Sequence, residues 1–215
     1  MNHMSFGQWI AKDTFDRLAA LVLLVAATPV LLVAAILIKL SSRGPILFRQ
    51  ERIGLNQQPF QINKLRTMHV QASNHALGTV TVRNDPRVFA VGRWIRWSKI
   101  DELPQLVNVF IGNMSLVGPR PTVHDDYKRM SAEQKQRAEV RPGITGLAQV
   151  NGGASLMWPE KIKLDLHYIH NYSFHLDLKI LLQTAWLVLF FRGDRNPEVG
   201  KEWPDEEDAQ SNQAA

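Results

Sequence analysis

The chain has no cysteine among its 215 residues. That excludes a disulfide framework, a thiolate metal site and a thiol nucleophile, and it suits a reducing compartment. Charged residues are also scarce, at 21% against 45% hydrophobic, which excludes a disordered chain. Acid is scarcer than base, 20 residues against 25. Six of those acids (Glu198, Glu202, Asp205, Glu206, Glu207, Asp208) stand near the end of the chain with the single base Lys201, so the remainder carries +10. Residues 196–215 read as a solvated, disordered acidic tail. The rest is long enough for one domain with its own core. A body this basic needs an anionic partner, whether nucleic acid, anionic lipid or a phosphorylated substrate. No nucleic-acid-binding motif is present.

The longest gap in charge runs from Leu18 to Ile38, 21 residues between Arg17 and Lys39. As a helix it would reach ~30 Å, one hydrocarbon thickness. It is too long and lacks the cleavage site for a signal peptide, and few soluble helices are apolar all round for this length. Pro29 at its midpoint withdraws an N–H from the Val25 carbonyl, so a kink is expected, with the Thr28 hydroxyl bonding back one turn. Bases flank both ends: Lys12 and Arg17 before, Lys39, Arg43, Arg49 and Arg52 after. This leaves two arrangements open, a full span and a re-entrant hairpin turning at Thr28–Pro29. A second apolar stretch, Leu178–Phe191, is too short to cross and reads as a core helix or an interfacial one, closed by Arg192 and Gly193. The run Gly92-Arg93-Trp94-Ile95-Arg96-Trp97 reads as a membrane-surface element.

Between these segments, Ile46–Ile53 and Phe60–Thr67 alternate as strands around a turn and predict a β-hairpin, with Phe60, Ile62, Lys64 and Arg66 on one face. Val70–Asn84 reads as loop. Val88–Trp97, Pro104–Phe110, Ser131–Glu139 (capped by Ser131) and Pro159–Tyr172 read as helices, and Gly112–Pro121 as a succession of turns.

Asp101 and Glu102 are adjacent, follow Arg96 and Lys99, and precede Pro104. Proline is tolerated only near a helix start, so the pair sits at a helix N-terminus where both carboxylates can enter one cleft. Acids favoured there by the helix dipole, with Ser98 as cap, are the bland alternative. Three basic turns accompany the pair: Gly118-Pro119-Arg120-Pro121, Arg141-Pro142-Gly143-Ile144-Thr145-Gly146 and Lys64-Leu65-Arg66-Thr67. Arginine in a proline-fixed turn presents a fork to phosphate, and Gly143 and Gly146 would let backbone N–H groups approach an anion. Together they describe an anion-binding cleft holding a carboxylate pair.

The ordered motifs Ser98–Leu106, Gly112–Pro121 and Arg141–Gly152, with Gln50–Gly54, Lys64–Met68 and the set Asp165, Tyr168, Ser173 and Asp177, resemble the bacterial sugar transferases, the monotopic phosphoglycosyl transferases, across roughly residues 12–192. The resemblance implies transfer of a sugar 1-phosphate from a UDP-sugar to undecaprenyl phosphate, giving UMP and a polyprenyl-diphosphate sugar, an early membrane step in exopolysaccharide or other glycoconjugate biosynthesis. It implies Asp101 as nucleophile and Mg²⁺ ligand and Glu102 as its assistant. Lys64, Arg66, Arg96, Arg120 and Arg141 would serve as phosphate-binding bases, and Mg²⁺ as cofactor. Partners would be the two substrates, anionic membrane lipids and downstream glycosyltransferases, at the cytoplasmic face of the inner membrane. It also favours a re-entrant helix broken at Thr28-Pro29. Relatives commonly carry Arg where Gly153 stands, so donor preference is not transferred. The expected fold is α+β and predominantly helical: a membrane helix in residues 1–42 (inserted over 18–38), a catalytic domain over 43–195 with a β-hairpin and interfacial amphipathic helices, then the tail. The competing reading is a non-catalytic membrane-anchored adaptor of a polysaccharide-assembly complex.

Overall fold

The computed structural model describes residues 5–70, 85–190 and Trp203. Helix α1 spans Phe6–Ser41 and starts at a capping box: Gln8 N–H donates to Ser5 Oγ, and Ser5 N–H donates to Gln8 Oε1. It runs as one 36-residue helix through Pro29, and the Thr28 hydroxyl donates to the Leu24 carbonyl at 2.9 Å, the back-bond expected beside a proline. It is long and apolar enough to cross a membrane, and most of its apolar side chains between Leu18 and Ile36 are exposed.

Strands β1 (Leu47–Ile53) and β2 (Pro59–Leu65) form the expected antiparallel hairpin, with Gln50 opposite Ile62. Helix α2 (Ala90–Trp97) leads into a single 3-10 turn, Ile100–Glu102, then α3 (Gln105–Phe110). Strand β3 (Ser115–Val117) pairs in parallel with β4 (Gly143–Thr145). The sequence expectation placed only turns there; three-residue strands are too short to show a period of two. Between them lie α4 (His124–Lys128) and the segment Gln134–Glu139, which is 3-10 rather than α-helical although Ser131 caps it as expected. Helices α5 (Leu147–Val150), α6 (Trp158–His170) and α7 (Phe174–Phe190) follow.

One core cluster gathers Ala20 of α1, Phe60 and Ile62 of β2, Leu106 and Val109 of α3, Leu116 and Val117 of β3, and Tyr168 and Ile180. A second joins Ala34 and Ile38 of α1 to Leu65, Phe89 and Ile95. Helix α7 is inside out by soluble standards. Asp177, Ile180 and Thr184 form its inward line, with Thr184 Oγ1 2.7 Å from Thr145 Oγ1, while Leu178, Leu182, Trp186 and Leu189 are exposed. The apolar stripe read as either core or interfacial is thus the outer one. Trp94 and Trp97 of α2 are likewise exposed. Residues 71–84, expected as loop, Arg192 and Gly193, expected to close the last helix, and residues 196–215 apart from Trp203, expected as a tail, lie outside the described residues.

Candidate active site

The carboxylate pair owes its position to two local breaks. Ser98 Oγ donates to the carbonyls of Trp94 and Ile95 and so closes α2, rather than capping the next turn. Lys99 then adopts a left-handed conformation (φ 61°), which re-aims the chain so that Ile100–Glu102 forms its own turn ahead of Pro104. Asp101 and Glu102 therefore stand at the entry to α3, as their spacing before Pro104 requires.

Glu102 is the hub. Its Oε1 accepts from Lys64 Nζ at 2.8 Å and from Arg120 Nη2 at 2.7 Å. Burial alone would raise its carboxyl, but the two cations and their hydrogen bonds hold it well below the usual carboxylate range. The strand alternation explains Lys64: it shares the inward face of β2 with Phe60 and Ile62, so its ammonium enters the interior, where burial lowers its pKa against the pull of Glu102 and Asp101. Asn108, fully buried, fixes that strand to α3. Its Oδ1 accepts from Asn63 N and Nδ2 at 3.0 Å each, and its Nδ2 donates to the Gln61 carbonyl at 2.7 Å. Sequence reasoning placed Asn108 only inside the helix read over Pro104–Phe110; a lone asparagine in an apolar helix run is the signal that could have marked it.

Asp101 differs from its neighbour. Its Oδ1 is buried without a hydrogen-bond partner. Burial first, and then the charge of Glu102, raise its pKa to about 6, against the pull of Lys64, Arg96 and Lys99. The buried group is still mostly ionised at pH 7. Arg96 on α2 thus contributes charge to this site.

Two predicted phosphate ligands are not brought to the pair. Arg66 spends its guanidinium on the chain leaving α1: Nε donates to the Pro45 carbonyl (2.6 Å), Nη1 to Ser42 Oγ (2.8 Å) and the Arg43 carbonyl (3.1 Å), and Nη2 to the Ser42 carbonyl (2.8 Å). Arg141 pairs with Asp13 and lies over the Trp9 ring at 5.3 Å, beside a separate cavity of about 230 Å³ also lined by Lys12, Asp16 and Tyr172. The glycines of the basic turns also serve packing. Gly143 N–H donates to the Pro119 carbonyl (2.9 Å), and a Cβ there would lie 2.1 Å from Gly118 N. These glycines let the β3 and β4 ends interlock, which sets the turn that delivers Arg120 to Glu102.

Asp165, Tyr168 and Asp177 are likewise internal. Asp165 pairs with Arg137, the Tyr168 hydroxyl donates to Asp177 (2.7 Å), and Asp177 also accepts from Lys12 (2.6 Å), tying α7 to the start of α1.

The bacterial sugar transferase family model matches residues 7–191. The chain belongs to that family. A UDP-glucose:undecaprenyl-phosphate glucose-1-phosphate transferase of Caulobacter vibrioides is 48% identical over 184 residues, covering 82% of this chain and 68% of the relative. An undecaprenyl-phosphate glucose phosphotransferase of Komagataeibacter xylinus is 43% identical over 85% of this chain but only 36% of its own length. An exopolysaccharide production protein of Rhizobium leguminosarum is 38% identical over 82% of this chain and 94% of its own. The sugar transferase match takes in the whole of the site just described and stops short of Trp203.

Proposed function

We propose that this sugar transferase moves a sugar 1-phosphate from a UDP-sugar to undecaprenyl phosphate through an aspartyl intermediate. The observation that carries the proposal is the division of labour in the pair: Glu102 is held ionised by two cations, while Asp101 keeps a buried oxygen with no partner. Asp101 attacks the sugar-bearing phosphorus of the diphosphate. A new carboxyl–phosphorus bond forms as the bridging oxygen leaves with UMP. The phosphate oxygen of the lipid then attacks the same phosphorus and returns Asp101 as a free carboxylate. One site thereby serves a soluble and a lipid substrate in turn. Lys64, Arg120 and Arg96 oppose the repulsion between the carboxylate and the diphosphate.

The donor set also fits Mg²⁺, which binds through one or two carboxylates and completes its shell with water and substrate phosphates. Among the described residues no group of three or more His, Asp or Glu side chains is placed to hold a metal, so Asp101, with its open oxygen, would be the protein's ligand. When bound, the ion neutralises phosphate charge.

Insertion of α1 as a re-entrant element at the cytoplasmic face of the inner membrane belongs to the same proposal. Its support is that Ala20 and Ile38, on opposite sides of Pro29, are both fully buried against one body. A helix crossing ~30 Å of hydrocarbon would carry one of them away. The chain has no cysteine, so Ser5→Cys and Ser41→Cys can each be labelled singly in inverted and right-side-out vesicles. Both should react from the cytoplasmic side; labelling from opposite sides would establish a full span instead.

Incubation with UDP-sugars, undecaprenyl phosphate and Mg²⁺ should release UMP. Absence of release from every UDP-hexose and UDP-N-acetylhexosamine would refute catalysis and favour a non-catalytic adaptor.

A further inference from the structure

Trp203 stands twelve residues beyond the end of the family match, in a stretch whose composition suggests an idle acidic tail. It is nevertheless docked. Its ring stacks on Trp158 with centroids 5.9 Å apart and planes 25° from parallel, and its Nε1–H donates to Asp126 Oδ1 at 3.0 Å. It packs on the cluster formed by Ile53, Tyr127, Met130, Ala138, Trp158 and Ile162.

Trp158 in turn lies 5.3 Å from the guanidinium of Arg137. Arg137 is 4% exposed and its Nε and Nη2 are committed: Nε and Nη2 to Asp165 Oδ2 at 3.1 and 2.5 Å, and Nη2 also to the backbone carbonyl of Arg120 at 2.9 Å. Arg120 Nη2 rests on Glu102. An unbroken line of contacts therefore runs from Trp203 through Trp158 and Arg137 to the turn that carries Arg120, and ends on the carboxylate pair.

We propose that Trp203 is a positioning residue of this chain: by covering Trp158 it fixes Arg137, and through Arg137 it holds Arg120 against Glu102. The inference deepens the proposed phosphoglycosyl transfer and rests on it for its kinetic test. Trp203 touches no reacting atom. Its effect is the placement of a guanidinium, and placement errors of an ångström can cost ~10²-fold in rate. A ring that only buttresses the line should cost less.

The test uses full-length variants. Trp203→Ala should lower kcat for UMP release about tenfold with little change in KM for the donor. Trp203→Phe, which keeps an aromatic ring over Trp158, should recover most of the loss. In an Arg120→Ala background Trp203→Ala should have no further effect, because the line then ends on nothing. Wild-type kcat in Trp203→Ala, or losses that multiply in the double variant, would overturn the proposal. Should Trp203→Ala fail to fold, Trp203→Phe and Asp126→Ala carry the same comparison with smaller expected losses.

A second readout is independent of activity. Phenylglyoxal modification followed by peptide mass spectrometry should find Arg137 protected in the wild type and several-fold more reactive in Trp203→Ala. If the wild type releases no UMP, the functional reading fails. Arg137 protection still decides the link: unchanged protection in Trp203→Ala refutes it.

Discussion

Replacing Asp101 by Asn should destroy activity and make the protein more stable, two effects with one cause. The Asp101 carboxyl is raised from 3.8 to about 6 by burial and by the neighbouring Glu102 charge, and Lys64, Arg96 and Lys99 offset only part of that cost. A folded pKa above the unfolded one means that the ionised carboxylate opposes folding at neutral pH. Each unit is about 1.4 kcal/mol, so the penalty at pH 7 is on the order of 3 kcal/mol. An uncharged amide of the same shape escapes it. For a chain of this size the variant should melt roughly 5–10 °C higher when both proteins are measured in detergent with EDTA at pH 7.

The pH dependence fixes the sign. As pH falls through 6 the wild-type carboxyl regains its proton and the penalty fades, to about half at pH 5 and a small remainder near pH 4. The two melting temperatures should therefore converge in acid. Adding Mg²⁺ at pH 7 should raise the wild-type melting temperature and leave that of Asp101→Asn unchanged. UMP release by the variant should be undetectable. A variant less stable than wild type at pH 7, or a stability gap that widens in acid, would refute the electrostatic argument; retained turnover would remove Asp101 as nucleophile.

Glu102→Gln loses the charge that holds Lys64 and Arg120, so kcat should fall at least ~10²-fold and stability by about 2 kcal/mol, read by UMP release and thermal melting. Arg66→Ala should leave KM for the donor unchanged while lowering stability by about 3 kcal/mol, because four hydrogen bonds to Ser42, Arg43 and Pro45 are lost; a raised KM with unchanged melting would restore Arg66 as a phosphate ligand. Gly143→Ala places a methyl 2.1 Å from Gly118 N and 2.3 Å from the Thr145 carbonyl, so the β3–β4 pairing must shift. It should cost about 3 kcal/mol and reduce turnover with it, since the same turn carries Arg120.

Elements with a strong local period were legible in the chain. The hairpin follows from alternation, α1 from an uncharged run of 21 residues, and the carboxylate turn from Pro104. The parallel pairing of β3 with β4 was not, because its information lies in two glycine-bearing turns more than 20 residues apart that must touch backbone to backbone. Helix α7 shows the same limit in another form. Its period was evident, but which side faces the protein depends on Asp177 and Thr184 finding Lys12 and Thr145, partners 165 and 39 residues away along the chain.

The site divides along the same line. Asp101, Glu102, Lys64 and Arg120 come together because each sits beside a local geometric instruction: a proline, a strand face or a tight turn. Arg66 and Arg141 occupy equally basic motifs and are drawn elsewhere, Arg66 by the carbonyls left open as α1 ends and Arg141 by Asp13. A guanidinium presented by a turn is thus an offer to any nearby acceptor, and the protein's own buried carbonyls and carboxylates compete with a phosphate for it. What separates Arg120 from the other two is that its backbone carbonyl is held by Arg137 while its guanidinium reaches a carboxylate that also holds Lys64. Basic motif composition marks where phosphate could bind; the competition for donors decides where it does.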